Sequence, residues 1–222
     1  MEMTLKKQTN VMDDLYRIQR HFYDATRRFF LPGRDRLLRE IIIPPKGKIL
    51  EVGCGTGRNL IRLGRRRPEA EFFGIDISIE MLRTAERKIR QSRLTNIHIA
   101  RADAETFEPK QVFPEVTSFD AIFFSYSLLM IPDWRKAIDH AGTALSENGS
   151  LYVVDFWDQQ NWPPVIRRLF KRWLAMFHVR HEEGMVGSLE TLAGKRHGTF
   201  QLRSIFGRYA FLASIGRQGQ NK

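Results

Sequence analysis

The segment ILEVGCGTGRNL, residues 49–60, ends an apolar run on an acidic residue, Glu51, and then places glycine at 53, 55 and 57. Glycines at alternate positions between a strand and a helix let the backbone approach a ligand closely. The spacing is neither the G-x-G-x-x-G of dinucleotide-binding loops nor the G-x-x-x-x-G-K-[ST] of phosphate loops. Gly194-Lys195 also lacks the spacing and the Ser/Thr that a phosphate loop needs. A carboxylate at Glu51 repels a pyrophosphate and accepts hydrogen bonds from a cationic amine. Nineteen residues after Gly57, the run FFGIDIS reaches Asp76, where an acidic side chain can hold both hydroxyls of a ribose. IARADAETF then sets Asp103-Ala104 at the end of another strand pattern, where an adenine edge can lie.

Cys54 sits inside the loop. No histidine is near it in sequence, so its expected role is a small residue packed beside the ligand, not a nucleophile. As the single cysteine of the chain it excludes an internal disulfide and any cysteine-based metal cluster, and it suits a reducing compartment. The histidines at 21, 98, 140, 178, 181 and 197 form no convincing ligand set, so no metal is expected.

These residues need strands and helices to carry them. KILEV, EFFGI, NIHIA, FDAIFFSY and SLYVVDF read as strands, separated by helical patterns over Arg58–Arg67, Ile79–Gln91 and Trp134–Leu145. Such alternation predicts βαβ units and a mainly parallel sheet. Before it, DDLYRIQRHFYDATRRFF places Leu15, Ile18, Phe22, Ala25 and Phe29 on one helical stripe, and LPGRDRLLREII restarts a helix after Pro32-Gly33. After it, WPPVIRRLFKRWLAMFHV reads as one long helix. TFQLRSIF and YAFLASI, split by Gly207-Arg208, read as a terminal hairpin, followed by a frayed tail.

The 222 residues, 42% hydrophobic and 11% aromatic, suffice for one globular domain with a substantial core. No stretch approaches a membrane span and the first ten residues hold no secretory core, so the expectation is a cytoplasmic protein. Charge is divided along the chain. Residues 1–70 hold 16 Lys and Arg against 8 Asp and Glu, residues 71–155 hold 9 against 13, and residues 156–222 hold 11 against 4. An acidic middle between basic ends suggests an anionic partner, either nucleic acid or an acidic membrane surface.

Taken in order, the acidic strand end, the glycine loop and the two later carboxylates resemble the class I S-adenosylmethionine-dependent methyltransferases. The resemblance implies an α/β fold: a Rossmann-like seven-stranded, mainly parallel sheet with helices on both faces, an amino-terminal helical lid and a carboxy-terminal antiparallel hairpin. It makes the chain one domain, with the lid in residues 1–45, the cofactor-binding core in 46–155, an amphipathic helix and hairpin in 156–214 and a tail in 215–222. S-adenosylmethionine is then the cofactor and S-adenosylhomocysteine its product. The expected cofactor contacts are Glu51, Gly53, Cys54, Gly55, Gly57, Asn59, Asp76, Ile77, Met81, Asp103, Ala104 and Ser125.

The acceptor is harder to read, because an in-line methyl transfer needs alignment more than acid–base groups. FDAIFFSYSLLMIPDW carries Ser125 and Tyr126 where the acceptor site is expected, and it lacks the Asn/Asp-Pro-Pro-aromatic tetrad of enzymes that methylate base amines. Nucleic acid is therefore not the expected partner. In VIRRLFKRWLAMF, Val165, Ile166, Leu169, Phe170, Trp173, Leu174 and Phe177 take one side and Arg167, Arg168, Lys171 and Arg172 the other. That pattern suits either a helix lying in a membrane interface or a core helix with a basic solvent face.

YRIQRHFYDATRRFFLPGRDRLL, LEVGCGTGRNL, SYSLLMIPDWRKAI, VVDFWDQQ and WLAMFHV together look like the bacterial betaine-lipid N-methyltransferases. This resemblance implies conversion of diacylglyceryl homoserine to its trimethylated form at the inner face of the membrane, with a basic amphipathic helix over 164–180 docking on anionic lipid. The amine must be neutral to attack; Tyr16, Tyr23 and Tyr126 are the candidates to assist proton removal. Arg27, Arg28 and Arg34 are the candidates for the headgroup carboxylate. Phosphatidylethanolamine, a quinone precursor or a small amine are alternative acceptors. A cofactor-binding module that holds RNA or protein through its basic ends is the non-enzymatic alternative.

Overall fold

The computed structural model describes residues 31–175 and 184–216. The stripe at residues 13–30, with Tyr16, Tyr23, Arg27 and Arg28, lies outside the described residues, as do residues 176–183 and 217–222. Helix α1 (Arg34–Glu40) leads into β1 (Lys48–Val52), α2 (Arg58–Arg66), β2 (Glu71–Asp76), α3 (Ile79–Ser92) and β3 (Ile97–Arg101). A short α4 (Pro109–Val112), β4 (Phe119–Ser125), a 3-10 turn at Leu128–Met130, α5 (Trp134–Ala144) and β5 (Leu145–Phe156) follow. The described chain ends with α6 (Pro164–Ala175), α7 (Met185–Lys195), β6 (Thr199–Ile205) and β7 (Ala210–Gly216).

The seven strands form one sheet in the order β3-β2-β1-β4-β5-β7-β6. β1 pairs in parallel with both β2 and β4, β2 with β3, and β4 with β5, whereas β7 runs antiparallel to β5 and β6. Strand order therefore reverses between β1 and β4, and a crevice opens at their carboxyl ends, the place where open α/β sheets bind ligands. β1, β2 and β4 are buried along almost their whole length, the signature of parallel strands covered on both faces. Phe72, Phe119, Phe123, Phe124 and Phe211 are the largest fully buried side chains.

Local chemistry explains the element starts. The Ser78 hydroxyl accepts from the Met81 N–H at 3.3 Å and caps α3, and the Asp133 carboxylate accepts from the Lys136 N–H at 3.1 Å and caps α5. Gly33, at φ 87°, starts α1 where a Cβ would collide with Ile205 Cδ1. Within the described residues the expected strands, the helices after β1, β2 and β4 and the terminal hairpin lie where the residue patterns put them; α4, the 3-10 turn and α7 were not anticipated, and β5 starts at Leu145, ahead of the run SLYVVDF. Met185, Leu189, Leu192 and Ala193 follow a helical period and are buried, but Gly187 and Gly194 interrupt the pattern. The helix is held from outside itself: Arg196 donates to the Gly142 and Ser146 carbonyls at 2.7 Å each, and a Cβ on Gly142 would stand 2.7 Å from Leu192 Cδ1.

Gly142→Val is therefore expected to lower stability by about 1–3 kcal/mol through overpacking of α5 on α7. Chemical denaturation checks it: the midpoint should fall, and a midpoint equal to the parent's would show that the two helices do not meet there.

Candidate functional site

At the end of β1 the chain leaves the sheet and begins α2 within five residues, Gly53 to Gly57. Gly53, Gly55 and Gly57 have φ of 73°, 53° and 72°, the left-handed region that side chains rarely adopt. Two of the three are emptied for internal packing as well. A Cβ on Gly53 would stand 2.5 Å from Ser127 Cβ, and one on Gly57 would stand 3.2 Å from Ala85 Cβ. The loop thus lets the turn after β4 close on the end of β1 and lets α2 approach α3. The N–H groups of Gly53 and Cys54 both donate to the Ile75 carbonyl, at 2.9 and 3.0 Å, and extend the β1–β2 ladder.

Asp76 ends β2 beside this loop. Its Oδ2 accepts from the Gly55 N–H at 2.8 Å and its Oδ1 from the Ser78 N–H at 2.9 Å. The two backbone donors fix the carboxylate in place at the end of β2. Glu51, 2% exposed, accepts at Oε1 from the Asn59 side-chain amide at 2.7 Å. Asn59 Oδ1 is buried and accepts no hydrogen bond among the described residues.

Asp103 follows β3, where its Oδ1 accepts from the Glu105 N–H at 2.9 Å and its carbonyl from Phe107 N–H at 3.0 Å. Ile77, Asp103 and Ala104 are half-buried, and Met81, in the first turn of α3, is buried. Sheet order sets Asp103, Asp76 and Glu51 along one edge, with neighbouring strands roughly 5 Å apart. Burial pushes the Cys54 thiol up, with the carboxylates of Asp76 and Glu51 adding to it. The thiol stays neutral, which fits packing and not nucleophilic attack.

The other wall is the segment after β4. Ser125 is buried and its Oγ has no hydrogen-bond partner among the described residues. Ser127 Oγ donates to the Val52 carbonyl at 2.7 Å. Tyr126 adopts φ 56°, donates its N–H to the Val154 carbonyl at 2.8 Å, and donates its hydroxyl to the Pro32 carbonyl at 2.5 Å. Burial pushes the phenol well above its ordinary range, with Asp155 and Tyr209 adding to the shift. The expectation that Tyr126 assists proton removal does not fit this geometry: the hydroxyl is a committed donor that holds its proton. It ties the Pro32–Arg34 corner to the site instead. Arg34, at that corner, is 8% exposed, and its Nε has no partner among the described residues.

Asp155 was not singled out from the sequence, although a carboxylate inside the apolar run VVDF is itself a signal. It is 1% exposed and accepts from the N–H groups of Leu128, Leu129 and Phe156 at 3.0, 3.2 and 2.8 Å. Burial pushes its carboxyl up to about 7, against the pull of those three donors. Among the described residues no three His, Cys, Asp or Glu side chains converge as a metal cage.

A sequence profile described as a methyltransferase domain matches residues 43–202. The chain belongs to the methyltransferase domain family. It is 32% identical over 109 residues to a malonyl-[acyl-carrier protein] O-methyltransferase of Paenibacillus, covering 49% of this chain and 38% of that protein. It is 30% identical over 140 residues to a demethylmenaquinone methyltransferase of Thermus thermophilus, covering 60% of each. The chain thus spans less than two thirds of the length of the curated relatives it matches. A solved S-adenosylmethionine-dependent methyltransferase from Aquifex aeolicus superposes with a TM-score of 0.62 at 16% identity, over 88% of this chain and 95% of that one. The residues present fit S-adenosylmethionine as a methyl donor. Asp76 is a carboxylate fixed by two backbone donors at the end of β2, and Glu51 offers a buried negative charge to a cationic amine.

Asp76→Ala should weaken S-adenosylmethionine binding at least tenfold, the order expected for a lost charge-assisted hydrogen bond. Calorimetry reads it, and unchanged affinity would remove Asp76 from the site. For Asp155 the folded-state pKa is raised, so the native state holds the proton more tightly than the unfolded chain does. Its contribution is present below about pH 4 and lost as pH rises towards about 7, at about 1 kcal/mol per pH unit in that window. Asp155→Asn should therefore remove a falling slope between those limits; parallel stability profiles for the two proteins would show that Asp155 is ionised throughout.

Proposed function

We propose that this domain methylates the amine of a glycerolipid headgroup, converting diacylglyceryl homoserine to diacylglyceryl trimethylhomoserine at the inner face of the membrane. The observation that carries the reading is an aromatic path from α6 to the acceptor wall. Phe170 on α6 lies 6.0 Å from Phe156, and Phe156 lies 4.8 Å, edge to face, from Tyr126. On the same helix Val165, Ile166 and Leu169 are 71%, 50% and 61% exposed, so this stripe is not spent on the core of the described residues. An exposed apolar stripe beside Arg168 and Arg172 suits a helix lying on anionic lipid. No helix of the described residues is long and apolar enough to cross a membrane.

When bound, S-adenosylmethionine supplies an electrophilic methyl carbon on sulfonium, and the chain must align a neutral amine with it and exclude water. Each transfer forms an N–CH3 bond and breaks the S–CH3 bond. A proton leaves the nitrogen after the first and second, and the third leaves a quaternary ammonium. Tyr126 keeps its proton, so Tyr16 and Tyr23, which lie outside the described residues, are the proposed tyrosines for that proton. Arg34, with Arg27 and Arg28 from the same amino-terminal part, is proposed to take the headgroup carboxylate. A guanidinium whose buried Nε has no partner among the described residues suits a forked anionic ligand. Aromatic faces on the acceptor wall favour the product cation.

A quinone precursor is the second reading, favoured by the 30% identity to the demethylmenaquinone methyltransferase. Both acceptors have long apolar tails and differ in the atom methylated. Labelled S-adenosylmethionine offered to mixed vesicles of diacylglyceryl homoserine, phosphatidylethanolamine and a demethylated quinone separates them. Stepwise gain of three methyl groups on the homoserine lipid is the expected result; label on either competitor in its place would overturn the headgroup assignment.

A further inference from the structure

The turn between β6 and β7 displays Phe206 with 75% of its surface exposed, the most exposed large hydrophobic side chain among the described residues. Three successive residues there, Phe206, Gly207 and Arg208, take φ of 45°, 60° and 65°. Two of them are not glycine, and such a backbone persists only where its surroundings hold it. They do. Arg208 donates from Nε to Asp158 Oδ1 at 2.7 Å, its second nitrogen meets Asp158 Oδ2, and its guanidinium lies 3.8 Å over the Trp157 ring. The N–H groups of Trp157 and Gln159 donate to the Tyr209 and Arg208 carbonyls, each at 2.9 Å, and Arg208 N–H donates to Ser204 Oγ at 3.1 Å. The turn is a braced platform that holds an aromatic ring outward, with three quarters of its surface in solvent.

The turn is also continuous with α6. Trp162, just before that helix, donates from Nε1 to the Phe206 carbonyl at 3.4 Å and packs on Phe170 at 5.4 Å. From Trp162, the spacing 162, 165, 166 and 169 carries one apolar stripe along α6. Val165, Ile166, Leu169 and Phe206 are the four most exposed large hydrophobics among the described residues. α6 carries Arg167, Arg168, Lys171 and Arg172 with no acidic residue, and among the described residues no ion pair occupies any of the four. A patch of exposed apolar side chains flanked by cations matches the chemistry of an anionic bilayer: acyl chains for the ring and the stripe, headgroup phosphates for the cations.

We propose that the β6–β7 turn and α6 form one lipid-docking surface, with Phe206 the side chain that enters the acyl region. The inference rests on the lipid-substrate reading for its purpose, and adds to it a second contact element on the other side of Trp162. Two contacts fix the domain's orientation on the membrane, which a single amphipathic helix, free to roll about its axis, does not.

The test compares the full chain with Phe206→Ser and Leu169→Ser in co-sedimentation with phosphatidylglycerol–phosphatidylcholine vesicles. Each substitution is expected to weaken partitioning on the order of tenfold, since each removes one large apolar side chain from the bilayer. S-adenosylmethionine affinity should stay at the parent's value, which shows that the variants are folded. Partitioning of Phe206→Ser equal to the parent's overturns the proposal, even if diacylglyceryl homoserine is methylated. A dimer that Phe206→Ser disrupts, in a protein that ignores vesicles, overturns it in favour of a second copy. Weakened partitioning with no methylation of any offered lipid sustains the docking surface and removes the substrate assignment.

Discussion

Ser127 and Gly53 meet where a single added carbon would stand 2.5 Å from its neighbour, and both walls of the crevice depend on that contact. On one side, Gly53 begins the loop whose Gly55 N–H fixes Asp76, so the contact governs where the ribose-type carboxylate stands. On the other, Ser127 follows Ser125 and Tyr126 and caps the turn at Leu128–Met130, and its hydroxyl donates to the Val52 carbonyl. Asp155 holds the same turn from behind through the N–H groups of Leu128 and Leu129. Cofactor loop and acceptor wall are therefore set relative to each other by one packed junction, reinforced by two hydrogen-bonding side chains. A shift of either wall disturbs the other, which is costly in a reaction governed by alignment.

Electrostatics at the junction has a consistent direction. Glu51 is almost fully buried and held by the Asn59 amide, and Asp76 ends the neighbouring strand, so carboxylates gather at the carboxyl ends of the strands. A cationic ligand is favoured there and an anionic one is not. Burial raises the Cys54 thiol, with Asp76 and Glu51 adding to it, so the chain's one thiol is kept protonated inside the glycine loop. Tyr126 is kept neutral in the same way, by burial and by Asp155. Burial holds the thiol and the phenol in their neutral forms.

The parallel half of the sheet was legible because each of its strands is an apolar run bounded by turn or cap chemistry, and β1 runs from Lys48 to Val52 as its residues read. The turn at Gly53, Gly55 and Gly57 was legible because its glycine spacing is local, and the structure gives all three a positive φ. What escaped was tertiary. α7 owes its place to Gly142 and Arg196, and two glycines blur its own period. Tyr126 read as a proton acceptor because sequence does not show that its hydroxyl meets Pro32, 94 residues away. Asp155 passed unnoticed in an apolar run because its donors come from Leu128 and Leu129, 27 and 26 residues earlier in the chain. The purpose of Gly53 was half-read: the close approach was anticipated, but the neighbour found there is Ser127.

Charge along the chain acquires a spatial meaning from this arrangement. The acidic middle, residues 71–155, contributes Asp76, Asp103 and Asp155 to the strand ends, and the basic carboxy-terminal part contributes α6. Opposite requirements are thus kept apart: a sulfonium cofactor wants carboxylates, and an anionic surface wants arginine and lysine. Direct contact between the two sets would neutralise both. What separates them is aromatic, since Phe156, Phe170, Tyr209 and Trp162 fill the space between the acceptor wall and α6 with ring centroids 5.0–6.0 Å apart. Such a layer carries no net charge and offers π faces to an alkylated ammonium. In the lipid reading it is also the path a headgroup follows from the surface to the crevice, since rings supply apolar contact for the lipid and a π face for the cation it becomes.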